Sequence, residues 1–203
     1  MPRPLNVLLV EDSEDDALLI LRALQKGGYE VFHERVETAK ALEEALEKKT
    51  WDIILSDYKL PGFDGLTALS ISKNKGVHVP FIIVSGTIGE DIAVAALKAG
   101  AHDYIMKDRL GRLLPAIERE LAEAATRLER KNEQEKLRQA EDRYRSIFEN
   151  AREGIYRSTP EGKIIMANRA MAAMFGYQSP EEFMADIHDV AGLVRFAVRA
   201  GIV

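Results

Sequence analysis

Between residues 5 and 110, short apolar runs rich in β-branched residues alternate with stretches of helical pattern, and this alternation constrains the fold more than any other feature. The runs are Asn6–Val10, Tyr29–Val36, Trp51–Ser56, Pro80–Ser85 and Asp103–Met106. The helical stretches are Asp15–Lys26, Thr38–Lys48, Gly65–Lys73, Glu90–Ala99 and Leu110 onward. Such alternation predicts an α/β fold in which helices cover both faces of a parallel sheet. NVLLV, DIILS and FIIVS are apolar almost throughout, as strands buried on both faces are, whereas YEVFHERV carries charge and belongs at an edge. Open sheets of this kind bind their ligands outside the carboxyl ends of the strands. Glu11, Asp12, Asp57, Ser85 and Lys107 all fall at such ends.

Asp57 stands where a buried strand gives way to a Pro-Gly turn, in WDIILSDYKLPGFDG, and Glu11-Asp12 directly follows NVLLV. Carboxylates that converge repel one another unless a cation neutralises them, and Mg²⁺ takes carboxylate oxygens while keeping several waters. The pattern is that of a phosphate-accepting aspartate. Each residue also has a plainer reading: Asp57 as the start of a turn, Glu11 and Asp12 as caps of the first helix, Lys107 as a solvated lysine.

Taken jointly, the Glu11-Asp12 pair, Asp57 followed by LPGFDG, Ser85 closing the fourth strand and Lys107 after DYIM resemble the receiver domain of two-component response regulators. The resemblance implies a flavodoxin-like (βα)5 domain over residues 1–125, with strand order 2-1-3-4-5. It implies that Asp57 takes a phosphoryl group from a histidine kinase or phosphotransfer protein. Glu11, Asp12 and Asp57, with the backbone carbonyl of Lys59, would hold Mg²⁺. Lys107 would offer its charge to one phosphoryl oxygen and the Ser85 hydroxyl would donate to another. Tyr104 would swing inward as Ser85 moves, and Thr87 and Lys59 would govern access of water to the acyl phosphate. Two residues depart from the family pattern. Gly86 follows Ser85 in place of alanine, which loosens the fourth loop. Asp108 follows Lys107 in place of proline, so the bond there is expected to be trans, with a different fifth loop and a different contact for Lys107.

From Leu113 the chain runs without glycine and with dense mixed charge to Asn150. Leu114, Ile117, Leu121, Ala124 and Leu128 follow 3-4-3-4 spacing, and Leu137, Ala140, Tyr144, Ile147 and Ala151 resume it after a break within Glu129–Lys136. One long helix over 113–150 is predicted, either solvated and laced with ion pairs or pairing as a coiled coil in a homodimer. Residues 141–203 resemble the first half of a PAS sensory domain on the phrase EGIYRSTPEGKIIMANRAMAAMFGY. That resemblance implies later strands, and the chain stops where they would begin, near Gly201, as a truncated domain or a piece of a longer protein. Tyr156, Met166, Met174 and Phe175 are candidates for a ligand pocket there, or for its core.

Composition narrows the function. The net charge of -5 argues against a nucleic-acid binder, and no helix-turn-helix pattern follows the receiver-like region. The absence of cysteine excludes disulfides, thiolate metal sites, cysteine nucleophiles and cysteinyl-flavin photochemistry. The four histidines lack metal-ligand spacing. No apolar stretch is long enough for a membrane span or a signal peptide, which points to the cytoplasm. The expected function is a phosphorylation-switched signalling module that relays through the helix to the PAS region. The alternatives are the input piece of a hybrid sensor kinase or cyclic-dinucleotide enzyme, and an adaptor that never takes phosphate.

Overall fold

The computed structural model describes residues 2–86 and 90–199. Its elements run β1 (Arg3–Val10), α1 (Glu14–Lys26), β2 (Tyr29–Val36), α2 (Ala39–Lys48), β3 (Ile53–Ser56), β4 (Lys59–Leu60), β5 (Phe63–Asp64), α3 (Gly65–Asn74), β6 (Phe81–Ser85), α4 (Glu90–Lys98) and β7 (Asp103–Met106). A 3-10 turn (Lys107–Arg112), α5 (Leu113–Asn150), β8 (Tyr156–Ser158), β9 (Ile164–Ala167), α6 (Arg169–Met174), α7 (Pro180–Asp186) and α8 (Val190–Arg199) follow. The chain divides into two compact units, 1–129 and 130–203.

In the first unit five strands form a parallel sheet in the order β2-β1-β3-β6-β7, the flavodoxin-like arrangement. Successive side chains of β1 point to opposite faces, and they sort into two cores accordingly. Leu5, Val7 and Leu9 pack with Ile20 and Leu24 of α1 and Ile117 of α5. Leu8 and Val10 pack with Leu42 and Leu46 of α2 and Leu69 of α3 on the other face. Every residue of β3 and β6 is buried, as their unbroken apolar runs require. The charged strand β2 takes the edge, paired on one side only, over eight residues of β1. On that strand Glu34 pairs with Lys49 of the chain beyond α2 at 2.9 Å, and Phe32 is exposed.

Helix starts follow local chemistry. Ser13, Thr38 and Asp64 are extended N-caps whose side chains accept from Asp16, Ala41 and Thr67 N–H, relieving donors that the first turn leaves unpaired. The Pro-Gly segment after Asp57 is a two-residue antiparallel hairpin, β4–β5, with Gly62 at positive φ, where the sequence predicts only a turn. Lys107–Asp108 is trans, and the fifth loop is the 3-10 turn.

Helix α5 is continuous across the segment where the apolar spacing breaks. In its first turns Leu114, Ile117 and Leu121 are spent on the receiver-like core. Farther along, Leu137, Tyr144 and Ile147 are 61, 54 and 64% exposed.

The second unit has its own core of Ile164, Ala167, Met171, Phe183, Ile187 and Leu193, ringed by Phe175, Tyr177 and Phe196. Phe175 and Met166 therefore divide the sequence's two readings: Phe175 packs on this core, and Met166 borders a surface hollow with Ala140 and Tyr144. Asn168 is fully buried, and its amide is satisfied on every side. It caps α6 by accepting from Met171 N–H, accepts from Ile155 N–H, and donates to the carbonyls of Phe148 and Glu153. Helix α8 buries Leu193 and Ala197, one turn apart, while its glycine and valines weaken the helical signal in the sequence.

Because the two units have separate cores, Phe183→Ala is expected to cost the second unit about 3–5 kcal/mol and unfold it, leaving the first intact. Thermal unfolding followed by circular dichroism checks this: one transition keeps its midpoint while the other is lost or falls.

Candidate functional site

The parallel sheet brings the carboxyl ends of β1, β3 and β7 to the same edge: Val10 pairs with Ser56, and β6 alone separates β3 from β7. Asp57 is the first residue past β3. Its N–H donates to the Val10 carbonyl at 2.8 Å, so the ladder itself fixes its backbone beside Glu11. Asp57 Oδ1 accepts from the N–H groups of Tyr58, at 2.5 Å, and Lys59, at 3.4 Å. Gly65 makes room for this turn. A Cβ there would stand 2.9 Å from the Asp57 carbonyl oxygen and 3.1 Å from Tyr58 Cα, so any larger residue forces the Asp57 backbone to move.

One donor oxygen from each of Glu11, Asp12 and Asp57 lies within 4.8 Å of the others. Glu11 is 1% exposed, and Asp12 is exposed. Burial raises the Glu11 pKa, although the Lys107 ammonium and the Ser13 N–H, both bonded to its carboxylate, pull it down. Three hard carboxylate oxygens in one place, one on a nearly inaccessible side chain, are a donor set that suits Mg²⁺.

Lys107 crosses to these carboxylates from the first position after β7. Its Nζ donates to Glu11 Oε2 at 2.8 Å, Asp57 Oδ2 at 2.8 Å and Asp16 Oδ2 at 2.6 Å. Burial alone would lower its pKa, but the bonds to Asp16, Asp57 and Glu11 outweigh that and hold it above the ordinary lysine range. The contact with Asp57 corrects the expectation that a trans bond before Asp108 would send Lys107 elsewhere: the long side chain reaches the aspartate from the 3-10 turn.

Ser85 is buried at the end of β6, opposite Met106. Tyr104, paired with Ile83 in the sheet, is half-buried against the core on the α2–α3 face. Lys59 pairs with Asp64 in the hairpin, and its side chain is exposed. Thr87 lies outside the described residues. Two contributors escape the sequence reading. Asp16 binds Lys107, and Arg35 of β2 donates through Nη1 to the carbonyls of both Glu11 and Asp12, at 3.0 and 3.1 Å. The one signal for Asp16 was its place in the first turn of the helix that follows Glu11-Asp12, where an acid has an ordinary helix-end explanation too.

The sequence model of the response regulator receiver domain matches residues 7–118. The chain belongs to the response regulator receiver family. A PAS domain model matches residues 142–200 as well. Among curated relatives of this receiver, the chemotaxis protein CheY of Bacillus subtilis is 32% identical over 117 residues, which cover 57% of the chain and 97% of CheY. The transcriptional regulator NtrC of Escherichia coli is 36% identical over 101 residues, 50% of the chain, and the regulator FleR of Pseudomonas aeruginosa is 32% identical over 102. The match spans only 21% of NtrC and of FleR. Among solved structures, NtrX from Brucella abortus superposes with a TM-score of 0.57 at 27% identity, covering 65% of this chain and 29% of NtrX. The beryllofluoride-activated NtrC4 receiver domain dimer gives 0.53 at 25% identity, covering 59% and 98%. A receiver domain and a PAS domain thus follow one another along this chain. No helix among the described residues is long and apolar enough to cross a membrane.

Lys107→Met is expected to destabilise the metal-free receiver by about 2 kcal/mol, because it leaves the Glu11, Asp16 and Asp57 carboxylates without their cation. The folded-state pKa of Lys107 is raised, so its contribution is complete at neutral pH and is lost only as alkali titrates the ammonium. The gap between variant and wild type should narrow in acid as Glu11, with its raised pKa, becomes neutral. Urea unfolding at pH 7.5 and 4.5, with and without Mg²⁺, measures this; Mg²⁺ should raise the midpoint of the variant more than that of the wild type.

Proposed function

We propose that Asp57 is the phosphoacceptor of an Mg²⁺-dependent receiver, charged by a histidine kinase or phosphotransfer protein. The single observation that carries this reading is the Asp57 carboxylate at the end of β3, bonded to Lys107 and grouped with Glu11 and Asp12. Glu11, Asp12 and Asp57, with the Lys59 carbonyl, would hold Mg²⁺, whose chemistry is to neutralise charge between the attacking carboxylate and the phosphoryl oxygens. In the transfer an Asp57 oxygen bonds to phosphorus, the N–P bond of the donor phosphohistidine breaks, and the leaving imidazole keeps its electron pair and takes a proton. The N–H groups of Tyr58 and Lys59 orient the carboxylate during this displacement. Lys107 supplies positive charge to a phosphoryl oxygen, and Ser85 donates to another. Tyr104 and Thr87 complete the switch, altering the face made by α4, β7 and α5.

The domain division that accompanies this reading is a receiver over 1–125, a signalling helix over 113–150 and a PAS region over 141–203, acting in the cytoplasm on protein partners. Helix α5 would carry the change, with the exposed apolar stripe of Leu137, Ala140, Tyr144 and Ile147 as the seam of a homodimer. The exposure of that stripe supports pairing over a purely solvated helix.

Intact mass after incubation with acetyl phosphate tests the chemistry. A Mg²⁺-dependent phosphoryl adduct is expected on the wild type and none on Asp57→Asn; an unmodified, folded wild type would leave the adaptor reading in its place. Sedimentation velocity tests the seam. Ile147→Lys should shift a dimer to monomer, with apparent affinity reduced by about tenfold or more.

A further inference from the structure

The Lys107 ammonium has three N–H donors, and all three are taken, by Glu11, Asp57 and Asp16. To meet a phosphoryl oxygen it must release at least one of them. Glu11 and Asp57 belong to the carboxylate group that could hold a cation, and Asp16 does not. Asp16 also makes the shortest of the three contacts, at 2.6 Å.

Asp16 occupies the third position of α1, where an acidic side chain commonly reaches back to the N–H of the N-cap residue. Here that service comes from elsewhere. The Ser13 N–H donates to Glu11 Oε1 at 3.1 Å, and Ser13 Oγ in turn accepts from the Asp16 N–H. The Asp16 carboxylate is thereby left to the lysine. Glu14 and Asp15 already bring exposed negative charge to the same helix turn, so the helix dipole does not account for Asp16.

We propose that Asp16 is a positioning residue for Lys107: when Mg²⁺ takes the Glu11 and Asp57 oxygens, Asp16 retains the ammonium at the rim of the site instead of letting it leave. Metal binding is then an exchange, in which the lysine gives up two carboxylates and keeps the third. Without Asp16 the carboxylates within its reach among the described residues are those the metal would take, so the two cations compete outright. The proposal rests on the reading of Asp57 as the acceptor of an Mg²⁺-dependent site. Its test uses no phosphodonor, so failure of phosphorylation and failure of the exchange are separate results.

Calorimetric titration of Mg²⁺ into the wild type, Asp16→Asn, Lys107→Met and the double variant forms the cycle that isolates the coupling. With Lys107 present, Asp16→Asn should weaken Mg²⁺ about three- to tenfold; with Lys107→Met, it should change the affinity by less than about twofold. Asp16→Glu should recover most of the wild-type affinity. The same weakening in both backgrounds would mean that Asp16 acts only as a charge through space, and no weakening would mean that it does nothing for the metal; either result overturns the proposal. Nitrogen-15 spectra of the lysine ammonium give a second measure that does not depend on the stability of Lys107→Met. A slowly exchanging Lys107 signal should persist in the Mg²⁺-loaded wild type and vanish in Mg²⁺-loaded Asp16→Asn. Its loss from the wild type on addition of Mg²⁺ would overturn the proposal equally.

Discussion

One ammonium group sets the terms for the carboxylate-bearing end of the receiver. Glu11, Asp16 and Asp57 come from three different places in the chain, and the sheet order forces two of them together whether or not a cation is bound. At the partly dry ends of parallel strands their mutual repulsion would be felt across the fold. Lys107 answers all three from a fourth place, reaching from β7 back to β1, β3 and α1. The molecule therefore carries an internal counter-ion where the family holds its metal.

The surrounding structure keeps this arrangement in register. The Asp57 N–H to Val10 carbonyl bond and the Arg35 guanidinium on the Glu11 and Asp12 carbonyls hold backbone, so the carboxylates need no strain of their own to converge. Gly65 does the equivalent by absence, since the tip of α3 lies against the Asp57–Tyr58 peptide. These are contacts of the supporting backbone, and they leave the carboxylate oxygens to the Lys107 ammonium and to N–H donors.

What sequence reveals about such a site depends on how local the cause is. Buried runs, caps and strand ends are local, so the sheet, its charged edge strand, and the grouping of Glu11, Asp12, Asp57 and Lys107 were legible. Asp16 and Arg35 were not, because an acid in a first helical turn and an arginine on an edge strand have ordinary solvated explanations until their partners are known. The hairpin at Lys59–Asp64 was hidden by its length, two residues a strand. The apolar spacing of α5 looked uniform on both sides of its break, yet Leu114, Ile117 and Leu121 face the receiver core while Leu137 and Ile147 face solvent. Periodicity identifies a stripe and cannot say what covers it.

The edge strand β2 has a consequence for how the protein behaves in concentrated solution. Eight residues long and open on one side, with Phe32 exposed near its middle, it is a template on which another extended chain could be added. Its protection is the charge spread along it, Glu30, Glu34 and Arg35, with Lys49 drawn up beside Glu34. Arg35 also braces the Glu11–Asp12 backbone, so one of the residues that guard the edge supports the carboxylate group as well. Colloidal solubility and site geometry thus share a side chain, and position 35 has little freedom to drift towards an apolar residue.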